Sequence, residues 1–230
     1  VANTNDAPTI SSTAVTSATE DAAYTYTVTA ADVDSGDTVT LAGTTVPSWA
    51  TFTASTGVLA GTPDNDDVGD HSVVITATDA AGASATDSFT ISVANTNDAP
   101  TITSTAVTSA TEDAAYTYTV TAADVDSGDT ITLSGTTVPS WLTFTASTGV
   151  LAGTPANGDV GSNSVVITAT DAAGATATDT FTITVANTND APTISSTAVT
   201  SATEDAAYSY TVTGADGDGD TLTMVGTTVP

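Results

Sequence analysis

The sequence predicts an all-β chain of tandem antiparallel sandwiches, and three observations carry that expectation. Threonine fills 55 of the 230 positions, with valine and alanine also abundant. Such β-branched side chains lose rotamer freedom in helices and fit a pleated surface. Apolar residues alternate with threonine at a period of two, and no stretch shows the 3.6-residue period of a helix. The string Val-Ala-Asn-Thr-Asn-Asp-Ala-Pro-Thr-Ile recurs at Val1, Val93 and Val185, a period of 92, and a fixed period marks a repeat architecture.

Taken in order, the first copy offers a strand at Tyr24-Thr25-Tyr26-Thr27-Val28, with aromatics and valine on one face and threonine on the other. Turn signals follow at Asp34-Ser35-Gly36, Ser55-Thr56-Gly57 and Gly61-Thr62-Pro63. Val73, Ile75 and Ala77 share one side of a later strand, the Ala80-Ala81-Gly82 turn follows, and Phe89, Ile91 and Val93 alternate again. About seven strands fit this length, the size of an immunoglobulin-like sandwich. Residues 1–92 and 93–184 differ at only 11 of 92 positions. The expected organisation is an incoming linker at 1–6, one repeat with its linker at 7–98, a second at 99–190, and half of a third at 191–230, set end to end in a rod. The third copy has too little chain to close a core. Either its end is an arbitrary boundary or something else completes it.

Charge narrows the function. The chain has no lysine or arginine, 27 acidic residues and one histidine, a formal charge of −27. Without cations to neutralise phosphate, nucleic-acid binding is excluded, and so is docking on an anionic membrane. No apolar run approaches the ~18 residues of a membrane span, and the absence of cysteine rules out disulfides and thiol chemistry. Proton transfer needs positioned groups, often histidine or a perturbed lysine. His71 becomes Asn163 in the next copy and lysine is absent, so no enzyme is expected. Trp49 and Trp141, the first flanked by Pro47 and Phe52, read as core aromatics rather than sugar-stacking platforms.

The acidic side chains must face water or bind something positive. Asp32, Asp34 and Asp37 crowd into six residues, and Asp124, Asp126 and Asp129 repeat them. Glu20 precedes the Tyr24 strand, Asp79 follows the Ile75 strand, and Asn3, Asn5 and Asp6 mark the recurrent string. Carboxylates with amide carbonyls suit a hard cation such as Ca2+, whereas zinc would want cysteine or histidine. The Asp216-Gly217-Asp218-Gly219-Asp220 run starts like an EF-hand loop, but Thr221 and Thr227 stand where glycine and glutamate are needed.

These residues resemble the cadherin-like domain, in the dystroglycan-type variety common in large bacterial surface adhesins. Glu20 stands at the family's early glutamate and Ala30-Ala31-Asp32-Val33-Asp34-Ser35-Gly36 at its Ala-x-Asp-x-Asp-x-Gly segment. Ala77-Thr78-Asp79-Ala80-Ala81-Gly82 approximates the third motif, and Asn95-Thr96-Asn97-Asp98-Ala99-Pro100 the closing linker. Val46-Pro47-Ser48-Trp49, Gly61-Thr62-Pro63 and Asp67-Val68-Gly69 match the dystroglycan-type signature. The resemblance implies calcium between consecutive domains. At the first junction it implies Glu20 and, as a substitute for a missing Leu-Asp-Arg-Glu motif, Asp67; Asn95, Asn97 and Asp98 from the linker; and Asp124, Asp126 and Asp171 from the second repeat. At the next it implies Glu112, Asp159, Asn187, Asn189, Asp190, Asp216 and Asp218. The linker is one residue shorter than the cadherin form and opens on asparagine instead of aspartate.

The function implied is an extracellular spacer of a repetitive cell-surface protein, stiffened by calcium, with neighbouring repeats of the same chain as its partners. Two alternatives stay open: a filament subunit whose half sandwich takes a strand from another chain to form a homo-polymer, and an adhesion module for a carbohydrate or protein of a cell surface or matrix.

Overall fold

A computed structural model describes residues 4–227. The first copy contains nine strands: β1 (Thr9–Ile10), β2 (Ser17–Thr19), β3 (Tyr24–Thr27), β4 (Ala30–Ala31), β5 (Thr40–Thr45), β6 (Ala50–Thr53), β7 (Val58–Gly61), β8 (Gly69–Thr78) and β9 (Ser84–Ala94). The second repeats them as β10 (Thr101–Ile102), β11 (Ser109–Thr111), β12 (Tyr116–Thr119), β13 (Ala122–Ala123), β14 (Thr132–Thr137), β15 (Leu142–Thr145), β16 (Val150–Gly153), β17 (Gly161–Thr170) and β18 (Thr176–Ala186). Among the described residues the third copy shows only β19 (Thr193–Ile194) and β20 (Gly214–Ala215). One 3-10 turn precedes the long hairpin of each complete copy, at Asn65–Asp67 and Asn157–Asp159. No helix among the described residues is long and apolar enough to cross a membrane.

Each complete copy stacks a four-stranded sheet, β2-β9-β8-β5, on a three-stranded one, β3-β7-β6, with β1 and β4 as a separate short pair. The second copy follows the same order. Two details depart from the expected seven-stranded antiparallel sandwich. Two-residue pairs raise the strand number to nine, and β2 runs parallel to β9, Ser17 against Ser92 and Thr19 against Ala94. Nearly the whole copy lies between those two strands, ample chain for the long crossover that a parallel pair requires.

The period of two places the core. Leu59, Ile75 and Ile91 are fully buried with Tyr24, Tyr26, Val28, Val73 and Val93 around them, and Leu151, Ile167 and Ile183 occupy the same places in the second core. Tyr24 meets Trp49 edge to face at 5.5 Å, and Tyr116 meets Trp141 at 5.7 Å. Both tryptophans are half-buried against their cores. Gly57 closes the β6–β7 turn at φ +70°, where a side-chain Cβ would sit 2.5 Å from the Val28 carbonyl oxygen, so only glycine fits there. In the third copy no further strand forms among the described residues. Tyr208 is 54% exposed where Tyr24 is 5% exposed, and Ile194 and Val225 also face solvent.

Two compact units emerge. Among the described residues the first comprises 4–98 together with 125–128, and the second 99–124 with 129–227. The loop after β13, although encoded in the second repeat, thus contributes Val125–Gly128 to the first unit.

Candidate metal centre

The recurrent Asn-x-Asn-Asp string leaves β9 and folds back against Glu20, which the β2 ladder has carried to the same end of the sheet. Glu20 is 1% exposed. Its Oε1 accepts from the Thr96 backbone N–H at 2.5 Å, and its Oε2 is buried with no hydrogen-bond partner. Asp126, 7% exposed, accepts from the Asn95 side-chain amide at 3.0 Å and from the Asp98 N–H at 2.8 Å. Asp98 in turn accepts from the Asn65 amide at 2.7 Å. Carboxylate oxygens of Glu20, Asp98 and Asp126 all lie within 4.8 Å of one another. All of these residues belong to the first unit.

A second group lies at the other end of the first copy. Asp32, Asp34 and Asp37 converge within the same 4.8 Å. Asp34 accepts from the Asp6 N–H at 2.8 Å, the Asp34 N–H donates to Asp32 at 2.8 Å, and Asp32 Oδ2 is a buried atom with no hydrogen-bond partner. Asn5 donates to Asp79 at 2.8 Å, and the Ala83 N–H donates to the other oxygen of Asp79. The Asn5 amide, with the Ala83, Gly82 and Ala81 backbone N–H groups, holds the Asp79 carboxyl below its usual range against the opposing effect of burial. Asn5, Asp34, Ser35, Gly36 and Asp37 line a depression of about 370 Å³. Asn3 lies outside the described residues.

In the second unit the same chemistry recurs in part. Glu112, 3% exposed, accepts from the Thr188 N–H at 3.1 Å. Asp190 donates its N–H to Asp218 at 2.6 Å, and Asp218 donates its own to Asp216 at 3.0 Å. Asp216, Asp218 and Asp220 gather their carboxylates within 4.8 Å. Asp124 follows β13; Asp171 follows β17, is 5% exposed and accepts from the Gly174 and Ala175 N–H groups. Asn187 and Asn189 lie in the connection after β18, where the Asn189 amide donates to the Asp190 carbonyl at 2.9 Å. Asn97 does the same toward Asp98.

Asp67 and Asp159 are occupied differently. Each caps its own 3-10 turn by accepting from a backbone N–H, Asp67 from Asp64 at 3.1 Å and Asp159 from Ala156 at 3.0 Å. Asp220 joins Asp216 and Asp218, although the resemblance implied only the latter two as ligands. Asn65, which orients Asp98 from 33 positions away, carried no local signal.

The donor set fits a hard cation. A buried carboxylate is costly unless paired or hydrogen-bonded, and the chain supplies no lysine or arginine to pair with Glu20, Glu112, Asp79, Asp126 or Asp171. The orphaned Glu20 Oε2 and Asp32 Oδ2 each sit in a carboxylate group of the kind oxygen-loving cations use.

The Serine-rich adhesin for platelets of Staphylococcus aureus is 31% identical over 137 residues, which is 60% of this chain and 6% of the adhesin. The chain thus spans only a small part of the curated relatives it matches. Among solved structures, the extracellular cadherin domains 1–5 of protocadherin gamma B2 align with a TM-score of 0.55 at 19% identity, covering 84% of this chain and 42% of that one. The protocadherin gamma B4 extracellular domain aligns at 0.54 and 21% identity, covering 92% and 40%. At these identities the likeness shows a shared fold. The family model described as "Putative Ig domain" matches residues 7–94 and again 99–186, and the chain belongs to that family as two tandem immunoglobulin-like copies.

Proposed function

We propose that this chain is a stretch of an extracellular, dystroglycan-type cadherin-like stalk, a spacer in a repetitive cell-surface adhesin whose junctions are braced by calcium. The observation that carries the reading is the burial of Glu20 and Asp126 beside Asp98 in a chain without lysine or arginine. Glu20 belongs to the first copy, Asp98 to the linker and Asp126 to the second copy. A cation held by all three would tie successive copies together and remove the freedom of the link. The same role falls to Glu112, Asp190, Asp216 and Asp218 at the next junction, and to Asn5, Asp6, Asp32, Asp34 and Asp79 at the incoming one. Asn3, Asn95, Asn97, Asn187 and Asn189 would add amide oxygens, and Asp124 and Asp171 further carboxylates. Asp67 and Asp159 would contribute only through oxygen lone pairs not used in capping. Extracellular calcium modules bind with dissociation constants of ~10⁻⁴–10⁻³ M, so these sites would fill near millimolar calcium.

Small-angle scattering in millimolar calcium and again in excess chelator tests the reading. A stiff particle in calcium that becomes flexible on chelation supports the braced stalk. An unchanged curve overturns calcium bracing and returns the acidic loops to solvated surface. The exposed Tyr208, Ile194 and Val225 favour the second reading, completion of the third copy by a strand from another chain. Mass rising with protein concentration would select it.

A further inference from the structure

The two 3-10 turns are near-copies that differ at two positions. In the first, Asp64-Asn65-Asp66-Asp67, the Asp64 carboxylate accepts from the Asp66 N–H at 3.0 Å. In the second, Ala156-Asn157-Gly158-Asp159, alanine has replaced the capping aspartate, so no N-cap side chain accepts from the Gly158 N–H, and glycine follows the asparagine. First-turn N–H groups have no partner within the turn itself and depend on such a cap. Gly158 is exposed, and no atom lies within 4 Å of where a Cβ would stand. Nothing therefore shields its backbone nitrogen on that side. Asn157-Gly158 is also the only Asn-Gly pair in the chain.

We propose that Asn157 is a self-modifying site, converted by its own backbone to aspartate or isoaspartate. The Gly158 nitrogen, losing its proton to water or base, attacks the Asn157 Cγ. A C–N bond forms, the Cγ–Nδ2 bond breaks, ammonia leaves, and a five-membered succinimide remains. Water then opens the ring at either carbonyl, giving aspartate or the β-linked isomer; no oxidant or enzyme takes part. Glycine permits the step because it has no side chain to obstruct the ring and the widest choice of backbone angles.

The consequence falls on the third copy. The Asn157 amide donates to Asp218 Oδ1 at 3.1 Å. Once converted, it offers no N–H and places a carboxylate against a carboxylate, an arrangement that repels unless a cation or proton intervenes. The chain has no means of restoring the amide, so the converted fraction records the age of the molecule. Asn65, donating to Asp98 at 2.7 Å but followed by the capped Asp66, serves as the internal control.

The full chain would be held at mildly alkaline pH and then cleaved after its three glutamates, Glu20, Glu112 and Glu204, to release residues 21–112 and 113–204. Fragment 113–204 should gain the mass of amide-to-acid conversion several-fold faster than 21–112. Isomerisation at Asp216-Gly217 or Asp218-Gly219 changes no mass and lies outside both fragments. The gain should vanish in Asn157→Gln and fall to the rate of fragment 21–112 in Gly158→Asp. Equal rates in the two fragments would overturn the proposal. So would a gain in 113–204 that survives Asn157→Gln, which would move the reaction to Asn163, Asn187 or Asn189.

Discussion

Glu20 and Trp49 each bury a polar group that their surroundings leave unanswered. For Glu20 the missing partner is a charge. Glu20→Gln keeps an acceptor for the Thr96 N–H while removing a buried anion, so in chelator the variant should melt no lower than the parent. In calcium the parent should gain about 2.7 kcal/mol from a site held at 100 times its dissociation constant, and the variant should lose that site's increment. Paired melting curves read both arms, and an equal calcium gain in the two proteins would detach Glu20 from any cation. For Trp49 the missing partner is an acceptor. Trp141 Nε1 donates to Asn163 Oδ1 at 3.0 Å, whereas Trp49 Nε1 is buried with none, because His71 spends its Nε2 on the Asp67 carbonyl. His71→Asn should therefore stabilise the first copy by about 1 kcal/mol, less what the His71–Trp49 edge contact contributes. A denaturant midpoint that falls would refute this. That Glu20 is acidic was legible in the sequence. Its burial was not, since burial depends on the linker folding back from 76 positions away.

Strands were the most legible level, because a period of two can be read directly along Tyr24–Val28 and Phe89–Val93. Partner and direction were not. The parallel β2–β9 ladder joins residues 75 apart, and nothing local to Ser17-Ala18-Thr19 announces it. The two-residue pairs, β1 with β4 and β10 with β13, are too short for any period to reveal. The tyrosines of β3 and β12 make the burial measurable. Desolvation, with a smaller contribution from the neighbouring tyrosine, pushes Tyr24 and Tyr116 up to about 12. Below pH ~10 both folded and unfolded chains keep these phenols protonated, and the full stability is present. Between 10 and 12 the unfolded chain ionises first, so stability drains as pH rises. An ultraviolet titration of the folded chain should show two phenols ionising near 12, and denaturant midpoints should fall across the same interval. In the β6–β7 turn, Gly57→Ala meets both an unfavourable φ and the Val28 carbonyl; the first copy should lose more than about 1 kcal/mol, read as an earlier unfolding transition.

For the whole molecule, a charge of −27 with no fixed positive partner makes nearly every intramolecular Coulomb interaction repulsive. Screening can then only help. Adding sodium chloride to a calcium-free solution should raise the denaturant midpoint, the opposite of what a protein held by surface salt bridges would show. Repetition made the tandem architecture readable from three occurrences of one decapeptide. Tyr24 and Tyr208 sit in closely matching strings, and only the strands that follow bury the first and leave the second exposed. The parallel ladder bears on one further property. Each complete copy carries β2 near its beginning and β9 at its end, side by side and pointing the same way. Tension applied through the backbone would drag those strands past each other, so the bonds along Ser17–Thr19 must yield together instead of peeling open one at a time. A tethered copy should accordingly hold its length under pull and then give way in a single abrupt step.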